Sequence, residues 1–382
     1  MLNIGSGVYS PVLRLKEGEY TALGQLPADV LARLLPLFVI PPAKERDPEL
    51  QRQLTASELV SIPGQRLGKH WPLRPCMFDP RFLFKQLGAD NAAEWLPELF
   101  RVAMAAHGRP IPVVDLRTVE RGALDAIRSV VHRLTHNLAL RVTLDDLTRT
   151  DLRTRIHSAL LKISLKPQDC ILILDFGKAE LSDPQAVGEI LLAQFQKVME
   201  LGLWGQVIWH ATSYPEKNPA SPGQLVELPR NEWLAWSHAI NLDSGLRKHL
   251  MFGDFAADSA KFAFGSGGIA PICHYRYSTP RLWIVIRALE AVTVREGMKE
   301  IATRLVSSEH FAGRAFSRGD RYIADTASGR DGPGNATTWR KVNTVHHLNR
   351  VVTDLGPHLG YQIAERKDTP IPEQTDLFGR NS

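Results

Sequence analysis

Eight short, strongly apolar runs recur along the 382-residue chain and constrain its fold more than any other feature. Helical segments separate them, so that a new run begins roughly every 25 to 43 residues, close to the length of one strand–helix unit. Strands that are covered on both faces are apolar throughout, as in parallel sheets wrapped by helices. The runs therefore predict parallel strands over 11–16, 36–41, 76–80, 111–116, 138–144, 170–177, 206–212 and 249–256.

Eight such units over roughly 250 residues match the size of a TIM-like (β/α)8 barrel, which is an α/β fold. The main alternative is a doubly wound open sheet, which would carry a glycine-rich phosphate turn after an early strand. The segment GSGVYS at 5–10 precedes the first strand instead of following one. We therefore expect the barrel, with amphipathic helices over 91–106, 121–135, 150–165 and 183–201.

The pattern changes after about residue 260. The sequence predicts additional strands over 274–278, 282–288 and 321–327, a loop over 328–339, and helices over 297–307 and 345–361. The predicted division is a barrel domain over residues 8–310, a C-terminal extension packed on the barrel over 311–366, and a flexible tail over 367–382. The tail is polar and contains proline, which is typical of frayed chain ends.

Charge and cysteine content limit the environment of the protein more than its chemistry. The formal net charge of +5 permits an anionic partner without requiring one. Cys76, Cys170 and Cys273 lie far apart and form no CxxC pair, so we expect core thiols in a reduced, cytoplasmic protein. No run reaches the roughly 18 to 20 apolar residues of a membrane span, and the first residues lack the pattern of a secretory signal.

Polar residues near the ends of the predicted strands form the candidate site, because barrel enzymes act at the carboxyl ends of their strands. Carboxylates that converge there could hold Mg²⁺ or Mn²⁺, and the predicted metal ligands are Asp115, Asp175 and Asp254. The structural alternative for each acid is a helix cap or a salt bridge. The other strand-end candidates are Arg14, Lys16, Asp79, Arg117, Asp145, His210 and Thr212, of which His210 is expected to be a hydrogen-bonded core histidine.

Aromatic and basic residues add a candidate ligand site. Arginine can hold a phosphate, and a tryptophan beside it can stack on a base. An alternative is that Trp339 plugs the end of the barrel while Arg340 pairs with an aspartate. The predicted ligand-binding residues are Lys16, Asp115, Arg276, Arg287, Trp339 and Arg340.

Two adjacent histidines, His346 and His347, lie on the last predicted helix. Adjacent residues project in different directions, which argues against a zinc ion shared by the pair. We expect one of them to reach the barrel mouth near Asp254, as a general acid or base, and the other to face solvent. The predicted catalytic residues are therefore Asp175, Asp254, His346 and His347.

A series of short motifs occurs in a fixed order along almost the whole chain. They are YSPVLRLKEGEYTAL and LLPLFVIPP near the start, LPRNEWLAW at 228–236, FGDFA at 252–256, HYRYSTPRLWIVIRA at 274–288, FSRGDRYIA at 316–324 and TTWRKVNTVHHLNRVV at 337–352. This combination resembles the beta-protein family, which is encoded by bacteriophages and by bacterial mobile or defence-associated loci. The resemblance implies a role in phage conflict and assigns no catalytic residue. Many members carry an acidic residue in the second strand, where this chain has Val39.

Two functions remain open from the sequence. The first is a phage-defence-associated barrel that binds a phosphate-bearing ligand, such as a nucleotide or nucleic acid, with metal-dependent hydrolysis as its chemistry. The alternative is a non-catalytic sensor or a component that binds the product of a neighbouring gene. For that alternative Trp233 and Trp236 are candidate contacts, although their helical neighbours favour core packing. Neither function involves a membrane.

Overall fold

The structure is a computed structural model that describes residues 7–42, 54–120, 122–177, 179–262, 272–290 and 292–368. The strands of these residues are β1 (Tyr9–Arg14), β2 (Leu37–Val39), β3 (Pro75–Asp79), β4 (Arg109–Asp115), β5 (Leu138–Thr143), β6 (Cys170–Asp175), β7 (Gln206–His210), β8 (Leu225–Pro229), β9 (Leu250–Asp254), β10 (His274–Ser278) and β11 (Leu282–Arg287). The helices are α1 (Glu17–Leu23), α2 (Ala28–Leu31), α3 (Ala56–His70), α4 (Arg81–Leu87), α5 (Ala92–Ala105), α6 (Leu116–Glu120), α7 (Leu124–Val130), α8 (Leu144–Leu147), α9 (Leu152–Ile163), α10 (Pro184–Met199), α11 (Asn231–Leu242), α12 (Val294–Val306), α13 (Arg318–Ala327) and α14 (Ala336–Leu359).

Strands β1 to β7 and β9 close into a ring of eight parallel strands. Strand β9 completes the ring by pairing with β7 on one side and with β1 on the other. Helices cover the outer face, as a sheet of apolar strands requires. The predicted TIM-like (β/α)8 barrel with additional C-terminal strands is confirmed, and all eight barrel strands lie at the predicted places.

Alternate side chains of each barrel strand fill the interior, because successive residues of a strand point to opposite faces. One buried apolar cluster contains the inward members: Val12, Leu35, Leu37, Val39, Met77, Ile111, Val113, Ala139, Ile171, Ile173, Ile208, Met251 and Phe255. The side chains between them pack in the outer layer against the helices. This alternation determines which polar residue at each strand end faces the interior.

A three-stranded antiparallel sheet, in the order β10–β11–β8, lies outside the ring. Its edge strand β8 comes from the connection between β7 and β9, while β10 and β11 form a hairpin after the ring is complete. Helices α12 and α13 bury a separate apolar cluster on this sheet. Helix α14 contacts both parts, since it packs on α1 and β1 of the barrel and on α13 and β10.

A buried arginine links β8, the hairpin and α14. The Arg230 guanidinium donates to the Thr279 carbonyl oxygen at 2.8 Å and to the Asp354 carboxylate of α14 at 3.1 Å. Arg230 is fully buried, and an unpaired charge in that position would be costly. The ion pair therefore stabilises one position of α14 relative to the second sheet.

Several elements differ from the sequence prediction. The segment 321–327 is not a strand but part of α13, because Ser317 caps the helix by accepting from the Asp320 backbone N–H. The buried residues of that helix follow helical spacing: Gly319, Asp320, Ile323 and Thr326. Helix α14 begins at Ala336, inside the predicted loop over 328–339. Strand β8 and helix α3 had no counterpart in the prediction.

The remaining predictions about the whole chain have mixed outcomes. Cys76 and Cys170 are buried, as expected, whereas Cys273 is part-exposed. None of the helices within the described ranges combines the length and apolarity needed to cross a membrane. The boundaries 8–310 and 311–366 stay predictions. Of the predicted flexible tail, residues 369–382 lie outside the described residues.

Gly253 leaves room for the His210 side chain inside the ring, near the carboxyl ends of the barrel strands. A Cβ atom at this position would lie 2.2 Å from His210 Cδ2 and 2.7 Å from the Ser10 carbonyl oxygen. We expect Gly253→Ala to lower the free energy of unfolding by about 1–3 kcal/mol, since the backbone on one side cannot move away. Urea denaturation measures this loss. The control is Gly332→Ala, where an added Cβ meets no atom within 4 Å, and an equal loss in both variants would contradict the prediction.

Candidate functional site

The carboxyl ends of the barrel strands form the upper rim of the ring. The polar residues at this rim point inward or outward according to strand alternation. On each barrel strand, the residue two positions after an inward apolar residue also points inward. At the carboxyl ends of the strands these inward positions, which form the barrel mouth, are Arg14, Asp79, Asp115, Arg141, Asp175, His210 and Gly253. Asp254, one residue later, belongs to the outward set with Leu250 and Phe252 of the outer layer. Two groups of charged side chains result, and a separate buried network holds Asp254.

The Arg141 cluster consists of Arg141, Asp79, Asp115, Asp175 and Arg81. The Arg141 guanidinium lies 2.9 Å from Asp79, 3.3 Å from Asp115 and 4.0 Å from Asp175, measured to the nearest carboxylate oxygens. Arg81 also donates to Asp79, at 2.7 Å from its Nε. Three carboxylates therefore face two guanidiniums, which gives this cluster a formal charge of −1.

Paired charges outweigh the effect of burial on the pKa values of Asp79 and Arg141. Burial alone would raise the pKa of Asp79, but the guanidiniums of Arg81 and Arg141 outweigh it and lower the pKa below its ordinary value. Burial likewise acts to lower the pKa of Arg141, and the three carboxylates outweigh it and raise the pKa. Asp115 also accepts from Thr118 at the start of α6, so the expected capping role and a place in the mouth coexist in this residue.

The Asp258 cluster consists of Asp258, Arg14, Arg276, Arg340 and Glu19. The Asp258 carboxylate contacts the guanidiniums of Arg14, of Arg276 at 2.6 Å and of Arg340 at 2.5 Å. Glu19 accepts from Arg14 at 3.4 Å and from Arg340 at 3.2 Å. Three guanidiniums against two carboxylates give this cluster a formal charge of +1.

The three arginines hold Asp258 in its charged form. Burial would raise the pKa of Asp258, but Arg340, Arg276 and Arg14 lower it well below its ordinary value. The Asp258 carboxylate thus occupies the centre of a group of guanidiniums, which is the arrangement that proteins use for phosphate and carboxylate ligands.

A cavity of about 150 Å³ adjoins the Asp258 cluster. Its polar wall includes His274, Asn343 and Thr344, and its apolar wall includes Trp339 and Phe255. Other lining residues are Glu19, Ala256, Ala257, Asp258, Ile272, Arg276, Ala336 and Arg340. The cavity is therefore lined by arginines of the Asp258 cluster and by aromatic side chains.

His274 positions Arg276 at this cavity. The Arg276 Nε–H donates to His274 Nε2 at 3.1 Å, and His274 Nδ1 lies 2.8 Å from the Ile272 carbonyl oxygen. The imidazole is therefore neutral, with its proton on Nδ1. Burial and the neighbouring Arg276 charge lower the pKa of His274 to about 4, which keeps it neutral at physiological pH.

Asp254 and the two histidines form a separate buried network behind the rim. Tyr9 donates to Asp254 at 2.5 Å, and His347 Nε2 lies 2.8 Å from the other Asp254 oxygen. His346 lies 3.0 Å from Asp320. Both histidines are fully buried, so the prediction that one of them faces solvent is wrong. The reason is that α14 packs on the barrel on one side and on α13 and β10 on the other, so that both histidines are covered. Strand alternation turns Asp254 away from the mouth and towards α14, where His347 meets it.

The three predicted metal ligands do not converge. Asp115 and Asp175 contact Arg141, whereas Asp254 contacts Tyr9 and His347. Within the part of the chain that the structure describes, no group of three or more His, Cys, Asp or Glu side chains could hold a metal ion. The roles predicted for Asp175, Asp254, His346 and His347 in catalysis stay predictions.

The other predicted ligand residues fall in different places. Arg276 and Arg340 lie in the Asp258 cluster. For Arg340 this agrees with the alternative interpretation, in which it pairs with an aspartate. Trp339 is buried among α12 and α13 and lines the cavity. Arg287 instead pairs with Glu290 at 2.6 Å, on β11 of the second sheet. Lys16 precedes α1, the helix that supplies Glu19.

The remaining strand-end candidates are not members of the two charged clusters. His210 is a buried, hydrogen-bonded core histidine, as expected, and its Nε2 lies 3.1 Å from the Ser10 carbonyl oxygen. Thr212 donates to the Asp258 carbonyl oxygen at 3.2 Å. Arg117 and Asp145 line a second cavity, of about 280 Å³, together with Glu120, Asp146, Arg149 and Arg155.

Comparison with known protein families identifies one that matches this chain. The family model for the Beta protein matches residues 9–353, which is nearly the whole chain. The chain belongs to the Beta protein family. Among curated proteins, none matches this chain at a significant level. The match covers both charged clusters of this Beta protein family member, from Arg14 in β1 to Arg340 in α14.

The sequence analysis did not identify several residues of the two charged clusters and the adjoining cavity: Glu19, Arg81, Arg141, Asp258 and His274. Arg141 had a usable signal, because a charged residue inside the apolar run LALRVTL needs acidic partners on neighbouring strands. Asp258 had none, since it lies in a loop and its partners are up to 244 residues away in the sequence. Glu19 resembled a surface residue of a polar segment, although it is buried.

Acid should destabilise the protein before its carboxylates titrate. Burial lowers the pKa of His210 to about 4. As the pH falls below about 6.5, the imidazole therefore becomes protonated in the unfolded chain before it does in the folded protein. Stability is therefore lost between pH 6.5 and 4, and His210 alone contributes a loss of about 2 kcal/mol by pH 5. Burial lowers the pKa values of His274 and His347 as well, which adds to the effect in the same direction.

Urea denaturation at pH 7.5 and pH 5 tests this expectation. His210→Gln should be less stable than the wild type at pH 7.5 but should lose less stability on acidification. The control is His157→Gln, since His157 is exposed on α9 and should leave the pH dependence unchanged. A wild-type stability that does not change between the two pH values would show that the buried histidines are not neutral.

Proposed function

We propose that this protein binds a small phosphate-bearing ligand at the barrel mouth, in the cavity beside the Asp258 cluster. The observation that supports this most is the convergence of Arg14, Arg276 and Arg340 on one carboxylate. Guanidinium groups donate paired hydrogen bonds in a fixed plane, a geometry that suits phosphate oxygens. The net positive charge of the cluster remains available for an anion after Asp258 and Glu19 are counted.

Arg340 is the arginine best placed to reach a ligand. About 32% of its side chain is exposed, against 18% for Arg276 and 8% for Arg14. It lines the cavity together with Asn343 and Thr344, which can add neutral hydrogen bonds to phosphate oxygens. Arg276, which His274 orients, faces the same space. The ligand would therefore contact α14 and the second sheet as well as the barrel.

Metal-dependent hydrolysis stays a prediction from the sequence, because its three predicted ligands, Asp115, Asp175 and Asp254, do not lie around one point. Asp115 and Asp175 are the part-exposed acids of the mouth, with 27% and 17% of their side chains exposed. Asp254 is buried against Tyr9 and His347. Binding of the ligand is thus better supported than its hydrolysis, and a sensor that binds without reaction fits the same contacts.

A role in phage conflict, with a protein partner from a neighbouring gene, also stays a proposal. The candidate contacts Trp233 and Trp236 are buried and pack on Phe252 of β9, so they do not form an exposed docking surface. Co-purification from the native operon would test for a stoichiometric partner that uses another surface. Such a partner is compatible with ligand binding at the mouth.

Arg340→Gln should weaken phosphate binding. Removal of one charge-assisted contact of about 1.5–3 kcal/mol predicts a loss of affinity of roughly tenfold to a hundredfold. Isothermal titration with inorganic phosphate, pyrophosphate and AMP at constant ionic strength measures the change, because salt screens these contacts. The control is Arg101→Gln, whose arginine forms an exposed pair with Glu98 on α5. Absence of binding in the wild type, or equal binding in both variants, would refute the proposed function.

Asp258→Asn should have the opposite effect on affinity. The change removes the carboxylate that competes with the ligand and raises the formal charge of the cluster from +1 to +2. We expect a lower melting temperature without ligand, because three guanidiniums lose their shared partner. We also expect phosphate to raise the melting temperature of this variant more than that of the wild type. A smaller rise would contradict competition between Asp258 and the ligand.

A further inference from the structure

The two charged clusters lie next to each other across one aromatic ring. The guanidinium carbon of Arg14, in the Asp258 cluster, lies 5.2 Å from the centroid of Phe262, and that of Arg81, in the Arg141 cluster, lies 5.3 Å from it. The two guanidiniums are therefore no farther apart than the sum of these distances. In addition, Arg14 and Asp79 both pair in register with Val39 of β2. The two clusters are therefore neighbours at the rim of the barrel mouth.

The Arg141 cluster contains a donor and an acceptor without hydrogen-bond partners among the described residues. The Arg141 Nε–H donates no hydrogen bond to any described residue, and the side chain is only 7% exposed. Asp175 accepts the Gly177 N–H through Oδ1 at 3.0 Å, while its Oδ2 lies 4.0 Å from Arg141 Nε. That distance is too long for a direct hydrogen bond. The donor and the acceptor therefore lie close to each other without a direct hydrogen bond.

The chemistry of these two atoms selects one kind of ligand group. Arg141 Nε–H needs an acceptor, and the Asp175 carboxylate oxygen needs a donor. A hydroxyl group supplies both from one oxygen atom. An ammonium group could donate to Asp175 but would leave Arg141 Nε without an acceptor and would place a second cation beside it. A methylene group would satisfy neither atom.

We propose that Arg141 and Asp175 bind a hydroxyl group of the same ligand whose phosphate binds to the Asp258 cluster. The ligand class is then a phosphorylated polyol, such as a sugar phosphate or the ribose phosphate of a nucleotide. This inference rests on the proposed function, which supplies the phosphate site. The formal charges of the clusters agree with it, since the positive cluster binds the anion and the negative cluster accepts hydrogen bonds from the polyol.

The part-exposed Asp175 side chain makes this subsite reachable from the mouth. Arg141 itself is buried and held by Asp79 and Asp115, so its orientation is fixed before a ligand arrives. A fixed donor loses little conformational freedom on binding, which favours specificity for the hydroxyl position. Arg141 is therefore the positioning element, and Asp175 is the residue to change.

The test compares phosphates that differ only in their organic part. Isothermal titration with inorganic phosphate, glycerol 3-phosphate, ribose 5-phosphate and 2-aminoethyl phosphate is carried out on the full chain. We expect at least one of the two polyol phosphates to bind about tenfold or more tightly than inorganic phosphate. We expect 2-aminoethyl phosphate to gain no such advantage.

Asp175→Asn provides the decisive variant, because its amide oxygen can still accept the Gly177 N–H while its NH₂ group cannot accept from a hydroxyl. We expect the ratio of polyol-phosphate to phosphate affinity to fall to about one. The control, Asp125→Asn at an exposed residue of α7, should keep the wild-type ratio.

Four results would overturn the inference. If phosphate binds but the polyol phosphates bind no more tightly, or if the ratio is unchanged in Asp175→Asn, the hydroxyl subsite is wrong and the phosphate site stands. If 2-aminoethyl phosphate binds most tightly, the subsite selects a cation instead of a hydroxyl. If none of the four compounds binds to the wild type, the proposed function fails and the inference fails with it.

Discussion

Closure of eight parallel strands into a ring brings every second side chain into one narrow interior, and the rest of the structure depends on how the charges at its upper rim are paired. Asp79, Asp115 and Asp175 all face Arg141 because their positions share one side of the strands. Unpaired burial of any of them would cost several kcal/mol. The rim is therefore a set of ion pairs fixed by the barrel, and that fixed set provides the donors and acceptors of the proposed site.

The second sheet and α14 complete the mouth. They carry Arg276 and Arg340 to the barrel residue Arg14, and all three converge on Asp258. Buried polar contacts hold this assembly in place, including His347 with Asp254 and Arg230 with Asp354. Asp254 and His347, which the sequence suggested as catalytic, thus form one of the contacts that hold α14 and its arginine in position. In this account they act on the ligand through the geometry of α14.

The fold was predictable from the sequence, whereas much of the site was not. Apolar runs such as CILILD identify buried parallel strands without any knowledge of partners. The same uniform apolarity hides which face of β9 points inward, so that Asp254 was assigned to the mouth although Gly253 occupies the inward position. Asp258 and Glu19 depend on contacts between distant segments, which periodicity cannot reveal. Arg276 and Arg340 were candidates because their types suit a phosphate, and the sequence did not reveal that both contact Asp258.

A crystal structure of the protein with ribose 5-phosphate tests the central claim most directly. The account predicts the phosphate within hydrogen-bond distance of Arg340 and Arg276, and one sugar hydroxyl oxygen within hydrogen-bond distance of both Arg141 Nε and Asp175 Oδ2. Occupancy of the mouth in the reverse orientation, with the phosphate away from the arginines, would contradict it. So would a ligand bound only in the cavity beside Arg117 and Asp145.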